Sequence, residues 1–298
     1  MDNSKISHHT FLRNILLTGV CIILIASLLT GCTMDKTVKQ TQSKYLGDER
    51  PVLYLGDSAL RGPAAYLAGV MTFRNISFDH VPSGRKFKTS LLDNNYAAVI
   101  ISDYPAANFS PDQLRALTEK VKAGMGLLML GGWTSFSGAN SEYTDTVLKE
   151  VLPVFMQPGD DRVNSSGTCL IEKINPHRIV DSLPFDKNPP TIGGYNLLKA
   201  KPDASTILVA RQFNISHQAG HFNFTPLPDP APLLVVGSFG KGRVAAFATD
   251  VAPHWVGGLV DWGNTTIKTQ APNAGTVEVG DLYAELFANM IDWTAGKL

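Results

Sequence analysis

Eight side chains that could take part in catalysis or ligand binding follow apolar runs of the sequence, at positions where the chain turns. His254 could act as a general base that Asp250 orients and the indole of Trp255 shields. The alternative is that Asp250 and His254 only cap a turn through backbone hydrogen bonds, and both interpretations remain open. The eight residues are Asp57, Ser58, Asp103, Trp133, Ser135, Asp250, His254 and Trp255.

Ser58 is the candidate nucleophile. Gly56-Asp57-Ser58, with Gly62 after it, resembles the opening motif of GDS-type serine hydrolases, in which a late Asp-x-x-His supplies the base. Here the late element, Asp250-x-x-x-His254, is one residue longer, and residues 138–141 depart from the Gly-x-Asn-Asp block of those enzymes. A hydrolase that uses His254 and Asp250 with Ser58, or with an activated water, is therefore an alternative function.

No motif predicts a metal or a cofactor. His217 and His221 have the spacing of two ligands on one helical turn, but Gly220 argues against a helix and no Cys or Glu partner lies nearby. Residues 237–242 are rich in glycine but lie between two strands, which favours a hairpin turn over a phosphate-binding loop. The segment Asp160-Asp161-Arg162 predicts a loop ion pair, with the alternative that Arg162 holds an anionic ligand.

The first half of the sequence alternates strands and helices. Apolar runs at 51–55, 97–102 and 126–130 predict buried strands, and residues 63–73 predict a helix. Ser110, Pro111 and Gln113 predict the start of a second helix with a capping box. This pattern predicts an α/β domain of the flavodoxin-like, three-layer type with a mostly parallel sheet, whose strand ends bring the eight residues to one rim. That rim is the expected pocket.

The pattern changes after residue 152. Short strands are predicted at 167–171, 195–200 and 206–210, and a short helix at 144–151 precedes them. Residues 211–231 form a polar insert, residues 233–248 a C-terminal hairpin, and a Gly- and Asn-rich loop leads to a final helix at 281–295.

The first 50 residues predict a lipid-anchored protein. Lys5 and Arg13 precede a 15-residue apolar run that is too short to span a bilayer, which indicates a signal peptide. Residues 29–32, Leu-Thr-Gly-Cys, resemble a bacterial lipoprotein processing site that ends in an acylated, palmitate-bearing Cys32. The alternative is an uncleaved N-terminal anchor. Thr33 favours the outer membrane over the inner one, with the protein facing the periplasm.

The predicted organisation has three parts, namely a signal peptide at 1–31, the lipidated cysteine and a flexible tether at 32–50, and one domain at 51–298. After residue 31, 24 Lys and Arg face 25 Asp and Glu, a net charge of about −1, which leaves no nucleic-acid footprint. Only Cys169 remains beside Cys32, so we expect no internal disulfide and a buried structural thiol.

Several segments together resemble the glutamine amidotransferase-like domains of the class I glutamine amidotransferase superfamily. In that family a nucleophilic cysteine occupies the sharp turn after the strand at 126–130, and Trp133 lies there instead. The resemblance therefore implies the fold and the pocket without glutaminase activity. The matching segments are 55–58, 99–103, 124–138, 151–154, 160–162, 194–196, 232–247 and 250–255.

The leading prediction is a small polar ligand, such as a carbohydrate, or a protein partner at the rim. Exposed tryptophans would stack on a sugar ring. The predicted ligand-binding residues are Asp57, Asp103, Trp133, Ser135 and Trp255, and the candidate catalytic residues are His254, Asp250 and Ser58. A third possibility is a structural component of the cell envelope that recruits a partner through the insert at 211–231.

Overall fold

The computed structural model describes residues 50–139 and 141–298. The predicted signal peptide, the lipidated Cys32 and the tether therefore lie outside the described residues. Within the described residues, no helix has both the length and the hydrophobicity needed to cross a bilayer.

The described chain forms strands and α-helices in mixed order. The strands are β1 (Val52–Gly56), β2 (Phe78–Val81), β3 (Ala98–Ser102), β4 (Gly126–Leu130), β5 (Val154–Met156), β6 (Arg162–Lys173), β7 (Thr191–Asn196), β8 (Leu198–Ala200), β9 (Ser205–Gln218), β10 (His221–Pro226), β11 (Ala231–Phe239), β12 (Gly242–Phe247), β13 (Thr266–Gln270) and β14 (Thr276–Gly280). The helices are α1 (Ala64–Phe73), α2 (Pro111–Ala123), α3 (Leu148–Val151), α4 (Pro253–Val256) and α5 (Asp281–Thr294).

One large central sheet has the order β2-β1-β3-β4-β12-β11-β9-β6-β7, with β10 paired to β9. The first five strands in this order, β2, β1, β3, β4 and β12, pair in parallel. Every residue of β1, β3 and β4 is buried, as expected for parallel strands covered on both faces. The domain is therefore mixed α/β with a parallel region at the centre of its sheet, which agrees with the predicted class.

The remaining strands of this sheet, from β11 to β7, pair antiparallel. The predicted hairpin is not an appendage, because β12 pairs with β11 on one side and in parallel with β4 on the other. The last strand of the parallel region is thus supplied from late in the chain. Asp250, three residues after β12, thereby reaches the same sheet edge as residues that follow β1 and β3.

The predicted polar insert at 211–231 has regular secondary structure over much of its length. Strand β9 runs through its first part and pairs with β10, which makes a long hairpin. Ala219 and Gly220 both have positive φ, as a two-residue type I′ turn requires. Three large apolar side chains on this hairpin are exposed, namely Ile215 at 44%, Phe222 at 66% and Phe224 at 56%.

Two other local predictions need correction. The helix expected at 144–151 is only the short α3, because Thr146 is extended (φ −113°, ψ 164°) and its hydroxyl accepts from the Leu148 amide. The Gly- and Asn-rich loop before α5 contains the β13–β14 hairpin, whose Ile267, Val277 and Val279 are buried. Alternation of these apolar residues is the period-2 signal that the predicted loop overlooked.

The predicted start of α2 is confirmed. The Ser110 hydroxyl accepts from the Gln113 amide, and the Gln113 side chain accepts from the Ser110 amide, which completes the capping box. Helix α2 packs on β12, and α5 packs on β3, β4 and β12. These helices hold the parallel strands whose carboxyl ends carry the candidate site.

Candidate functional site

Three aspartates meet where β1, β3 and β12 end. One carboxylate oxygen from each of Asp57, Asp103 and Asp250 lies within 4.8 Å of the other two. Asp57 and Asp250 are only 3% and 6% exposed. The sequence placed all three at one rim, and the structure brings them into a single cluster, here called the aspartate cluster.

The backbone at this sheet edge is unusual. Asp57 and Asp103 both have φ near +47°, in the left-handed region that aspartate tolerates better than most residues. At Gly56 a Cβ would lie 1.5 Å from the Ser102 carbonyl oxygen, so the ends of β1 and β3 approach too closely for any side chain there. Strained backbone is thus concentrated where the carboxylates converge, as is common at functional sites.

Each carboxylate in the cluster is anchored through one oxygen. The Tyr54 hydroxyl donates to Asp57 Oδ2, and the Thr134 amide donates to Asp103 Oδ1 at 2.7 Å. Asp250 Oδ1 accepts from the amides of the two residues that follow it, at 2.5 and 3.2 Å. Within the described part of the chain, no hydrogen bond of good geometry reaches the second oxygen of any of the three.

Burial and mutual repulsion make these carboxylates reluctant to ionise. Burial raises the pKa of Asp57 well above its usual value, and the charges of Asp250 and Asp103 raise it further. Burial, with a contribution from Asp103, raises the pKa of Asp250 to about 7. The pKa of Asp103 is also raised by burial, although Thr134 and the Arg162 charge oppose that shift. Full ionisation of the cluster at neutral pH is therefore unfavourable without a compensating positive charge.

The turn after β4 is held by a buried amide. Asn196 accepts from the Gly132 amide at 2.9 Å and donates to the Gly132 carbonyl at 3.2 Å. Its amide also donates to Asp161 at 2.8 Å, and Asp161 in turn accepts from the Ser137 amide at 3.0 Å. This network fixes the position of Trp133, the residue at the tip of the turn.

Trp133 is 46% exposed and lies among charged and aromatic neighbours. The Arg162 guanidinium is 4.4 Å from the centre of the indole, and the His254 ring is 5.8 Å from it. Arg162 also pairs with Asp160 at 2.6 Å, as the sequence predicted. The rim therefore combines an aromatic surface, a guanidinium and a cluster of carboxylates.

Two predicted ligand-binding residues are structural instead. Trp255 is 1% exposed and its indole N–H donates to Asn164 at 2.8 Å, so the expectation of two exposed tryptophans is wrong. Ser135 is fully buried, and its hydroxyl accepts from the Asp103 amide at 3.0 Å. It positions a member of the aspartate cluster rather than offering its own side chain to a ligand.

The candidate catalytic residues do not form a relay. Ser58 is exposed, and its amide donates to the Ser83 hydroxyl at 3.2 Å. Among the described residues, no hydrogen bond connects the side chains of Ser58, Asp250 and His254. Asp250 bonds to the backbone at the start of α4, which is the capping role considered as the alternative from sequence.

Cys169 offers no substitute nucleophile. It is fully buried in β6, opposite Ile192 and Gln212 in the antiparallel region. Burial raises the pKa of its thiol to about 11, which suppresses the reactive thiolate. The predicted role of a structural thiol is confirmed.

Comparison with known proteins assigns the chain to a family. Residues 89–268 match the family model described as "Putative glutamine amidotransferase". The chain belongs to this glutamine amidotransferase-like family. The matched residues include the turn after β4, Asn196, Arg162 and Asp250, so the family assignment covers most of the site described above. No curated protein matches the chain significantly.

Two solved structures share the fold. The cytoplasmic protein STM3548 of Salmonella typhimurium has a TM-score of 0.63 and 26% identity, over 82% of this chain and 98% of that one. The cytoplasmic protein STM1381 of Salmonella typhimurium LT2 has a TM-score of 0.62 and 28% identity, over 82% and 99%.

Sequence reasoning missed the residues whose hydrogen bonds hold Asp57 and the turn after β4 in place. Tyr54 lies in β1 and reads as an ordinary core residue, yet its hydroxyl anchors Asp57. Asn196, the last residue of β7, and Asp161, which precedes β6, both lie in segments that resemble the amidotransferase-like domains. Their hydrogen-bond partners are distant in sequence, so their roles appear only in three dimensions.

We expect Gly132→Ala to destabilise the protein by about 2–4 kcal/mol through overpacking and backbone strain. A Cβ there would lie 2.3 Å from Asp103 Oδ1, and the φ of +146° is unfavourable for alanine. Urea denaturation gives the free energy of unfolding. Gly84→Ala is the matched control, since no atom lies within 4 Å of its added Cβ, and it should stay within about 0.5 kcal/mol of the wild type. Equal effects of both changes would contradict the packing described for the turn.

Proposed function

We propose that this glutamine amidotransferase-like protein is not a glutaminase and that it binds a polyhydroxylated ligand, such as a carbohydrate, at the rim around Trp133. The observation that carries the proposal is the exposed indole at the turn where the resembling enzymes hold their nucleophilic cysteine. An indole has no nucleophilic thiol, so it cannot form the thioester on which those enzymes depend.

The chemistry of the rim favours a ligand with hydroxyl groups. An indole face packs against the C–H face of a sugar ring, while carboxylates accept hydrogen bonds from its hydroxyls. Asp103 and Asp250 each have one carboxylate oxygen engaged by backbone donors, and the other accepts no well-formed hydrogen bond from the described residues. His254, exposed beside Trp133, adds a further hydrogen-bonding group at the same rim.

Arg162 bears on the class of ligand. Its guanidinium covers part of the indole and is already paired with Asp160, so its charge is partly compensated. A neutral ligand is compatible with this arrangement, and an acidic sugar would gain from Arg162 only by competing with Asp160. We therefore favour a neutral polyhydroxylated ligand.

We further propose that Cys32 is lipidated and anchors the domain to a bacterial membrane, facing the periplasm and with the outer membrane preferred. Support comes from the order of basic leader, apolar run and Leu-Thr-Gly-Cys box in residues 5–32. The two Salmonella proteins match nearly their whole length on 82% of this chain, which leaves 18% of 298 residues, about 54, outside the match. Those two are described as cytoplasmic, so anchoring would distinguish this chain from them.

The β9–β10 hairpin supports a second candidate function. We infer that it contacts an envelope protein. Phe222 and Phe224 are 66% and 56% exposed, and they occupy alternate positions of the short strand β10. Large aromatic side chains at such exposure are uncommon on a monomer surface and are enriched in interfaces. This candidate concerns a different surface from the rim and is tested separately.

Trp133→Ala should weaken ligand binding by about tenfold or more, because the stacking surface is lost. A panel of neutral mono- and oligosaccharides, titrated by calorimetry, identifies the ligand and measures the effect. Phe155→Ala is a matched control, since Phe155 is 48% exposed and also carries a basic side chain, Lys201, over its ring. No binding across the panel, equal losses in both variants, or release of ammonia from glutamine would each contradict the proposal.

Cys32→Ala should abolish incorporation of a clickable palmitate analogue into the protein. The expected cause is loss of the acylated thiol, without which no acyl chain remains to hold the protein. Cys21→Ala is the control because it removes a cysteine from the leader and should leave labelling intact. Labelling that persists in Cys32→Ala would exclude this anchor.

Replacing Phe222 with photoreactive benzoylphenylalanine should give a discrete crosslinked adduct in cells after irradiation. The same replacement at Phe155, which is similarly exposed but lies outside the hairpin, provides the comparison. We expect an adduct specific to position 222, because only there does the apolar hairpin meet its partner. Identical adduct patterns at both positions, or none at position 222, would remove the hairpin as an interaction surface.

A further inference from the structure

We propose that the aspartate cluster, together with the Ser102 hydroxyl, binds a divalent cation, with Ca²⁺ as the best fit. The sequence pointed to no metal, because the only pair with ligand spacing was His217 and His221 on the hairpin. The inference shares Asp103 and Asp250 with the proposed carbohydrate site, but it does not require that ligand, because the cation would contact protein oxygens directly.

The spacing of the carboxylates suits calcium. Two oxygens on opposite sides of a cation lie at twice the metal–oxygen bond length, which is about 4.6–5.2 Å for Ca²⁺ and about 4.0–4.2 Å for Mg²⁺. One oxygen from each of Asp57, Asp103 and Asp250 lies within 4.8 Å of the other two, which is an upper limit on these separations. Ca²⁺ accommodates the whole of that range, whereas Mg²⁺ accommodates only its shorter part.

The hydrogen bonds of the three carboxylates resemble those of metal-binding carboxylates. Each has one oxygen held by a protein donor, from Tyr54, Thr134 or the start of α4, and a second oxygen without a well-formed protein hydrogen bond among the described residues. An anchored carboxylate loses little conformational freedom on binding a cation, because its orientation is already fixed. The arrangement thus resembles metal ligands with supporting hydrogen bonds.

Ser102 provides an observation independent of the carboxylates. It is fully buried, and its hydroxyl makes no hydrogen bond of acceptable geometry. The hydroxyl lies close enough to the Asp57 carboxylate to lower its pKa, and Ser102 pairs in register with Gly56 at the base of the cluster. A buried hydroxyl that faces the Asp57 carboxylate without a well-formed hydrogen bond can supply a further oxygen to a cation bound by the cluster.

Charge leads to the same conclusion. Three ionised carboxylates would carry a charge of −3. Among the residues that the structure describes, Arg162 lowers the pKa of Asp103, but it is itself paired with Asp160. A divalent cation would remove most of the repulsion that otherwise opposes ionisation. Its ligands would be four protein oxygens, which leaves positions for water or for ligand hydroxyls.

The test is Tb³⁺ luminescence on the full-length protein purified in detergent and stripped with EDTA. Tb³⁺ replaces Ca²⁺ in oxygen sites, and Tyr54, bonded to Asp57, and the nearby Trp133 can sensitise its emission. We expect saturable emission that Ca²⁺ displaces at lower concentration than Mg²⁺, and a matching heat of Ca²⁺ binding by calorimetry without any sugar present. Absence of both signals up to millimolar Ca²⁺ would overturn the proposal and leave the carbohydrate proposal standing.

Three variants locate the site. Asp103→Asn keeps the Oδ1 acceptor for the Thr134 amide but removes the charge, and it should weaken Ca²⁺ binding at least tenfold. Ser102→Ala removes only the orphan hydroxyl and should weaken it about three- to tenfold. Asp160→Asn neutralises an exposed carboxylate at the same rim and should change the affinity for Ca²⁺ less than twofold. Equal losses in Asp160→Asn and Asp103→Asn, or no effect of Ser102→Ala, would contradict the assigned ligand set.

Thermal melting in EDTA separates lost binding from lost folding. With one of three mutually repelling carboxylates neutralised, Asp103→Asn should melt at the wild-type temperature or above it. If that variant is unfolded, Asp250→Asn replaces it, because an asparagine there retains the Oδ1 acceptor for the two backbone amides. Wild-type affinity for Ca²⁺ in a folded Asp103→Asn or Asp250→Asn protein would overturn the proposal.

Discussion

Repulsion among three carboxylates, two buried and one half-buried, is the constraint on which the site depends. Charges taken out of water are costly unless hydrogen bonds or opposite charges compensate them, and here one backbone or hydroxyl donor holds each carboxylate. Those donors come from β1, from the turn after β4 and from the start of α4. The strand order that places β12 beside β4 is therefore required to supply the third carboxylate and its support together.

The sequence predicted the parallel region and the membership of the rim because both follow from local patterns. Fully apolar five-residue runs identify buried parallel strands, and polar residues after them must lie at the carboxyl edge. Asp57, Asp103 and Asp250 could be grouped on that basis alone. Their separation of less than 4.8 Å could not be predicted from the sequence. It depends on the close approach of β1 to β3 at Gly56 and on where β12 enters the sheet.

The antiparallel region was harder to predict because its strands are long and partly exposed. Strand β9 is buried over residues 207–210 and exposed from Asn214 to Gln218, so its second part lacks the apolar alternation that marks a half-buried strand. Trp255 illustrates the same limit for side chains. A tryptophan in a loop can face solvent or fill the space left by a glycine, and here a Cβ at Gly194 would lie 2.4 Å from its indole nitrogen.

The support of the turn after β4 explains how the fold accommodates Trp133 at the tip of that turn. In this chain the turn is held by Asn196 and Asp161, which bond to the Gly132 peptide and the Ser137 amide rather than to the residue at the tip. The tip side chain is thus free to change, because the support contacts only backbone around it. Trp133 at that position adds surface to the rim, and Gly132 must remain glycine because the Asp103 carboxylate occupies the space of a Cβ. The aspartate cluster therefore also constrains the turn. It restricts the backbone at Gly132 but does not restrict which side chain lies at the tip.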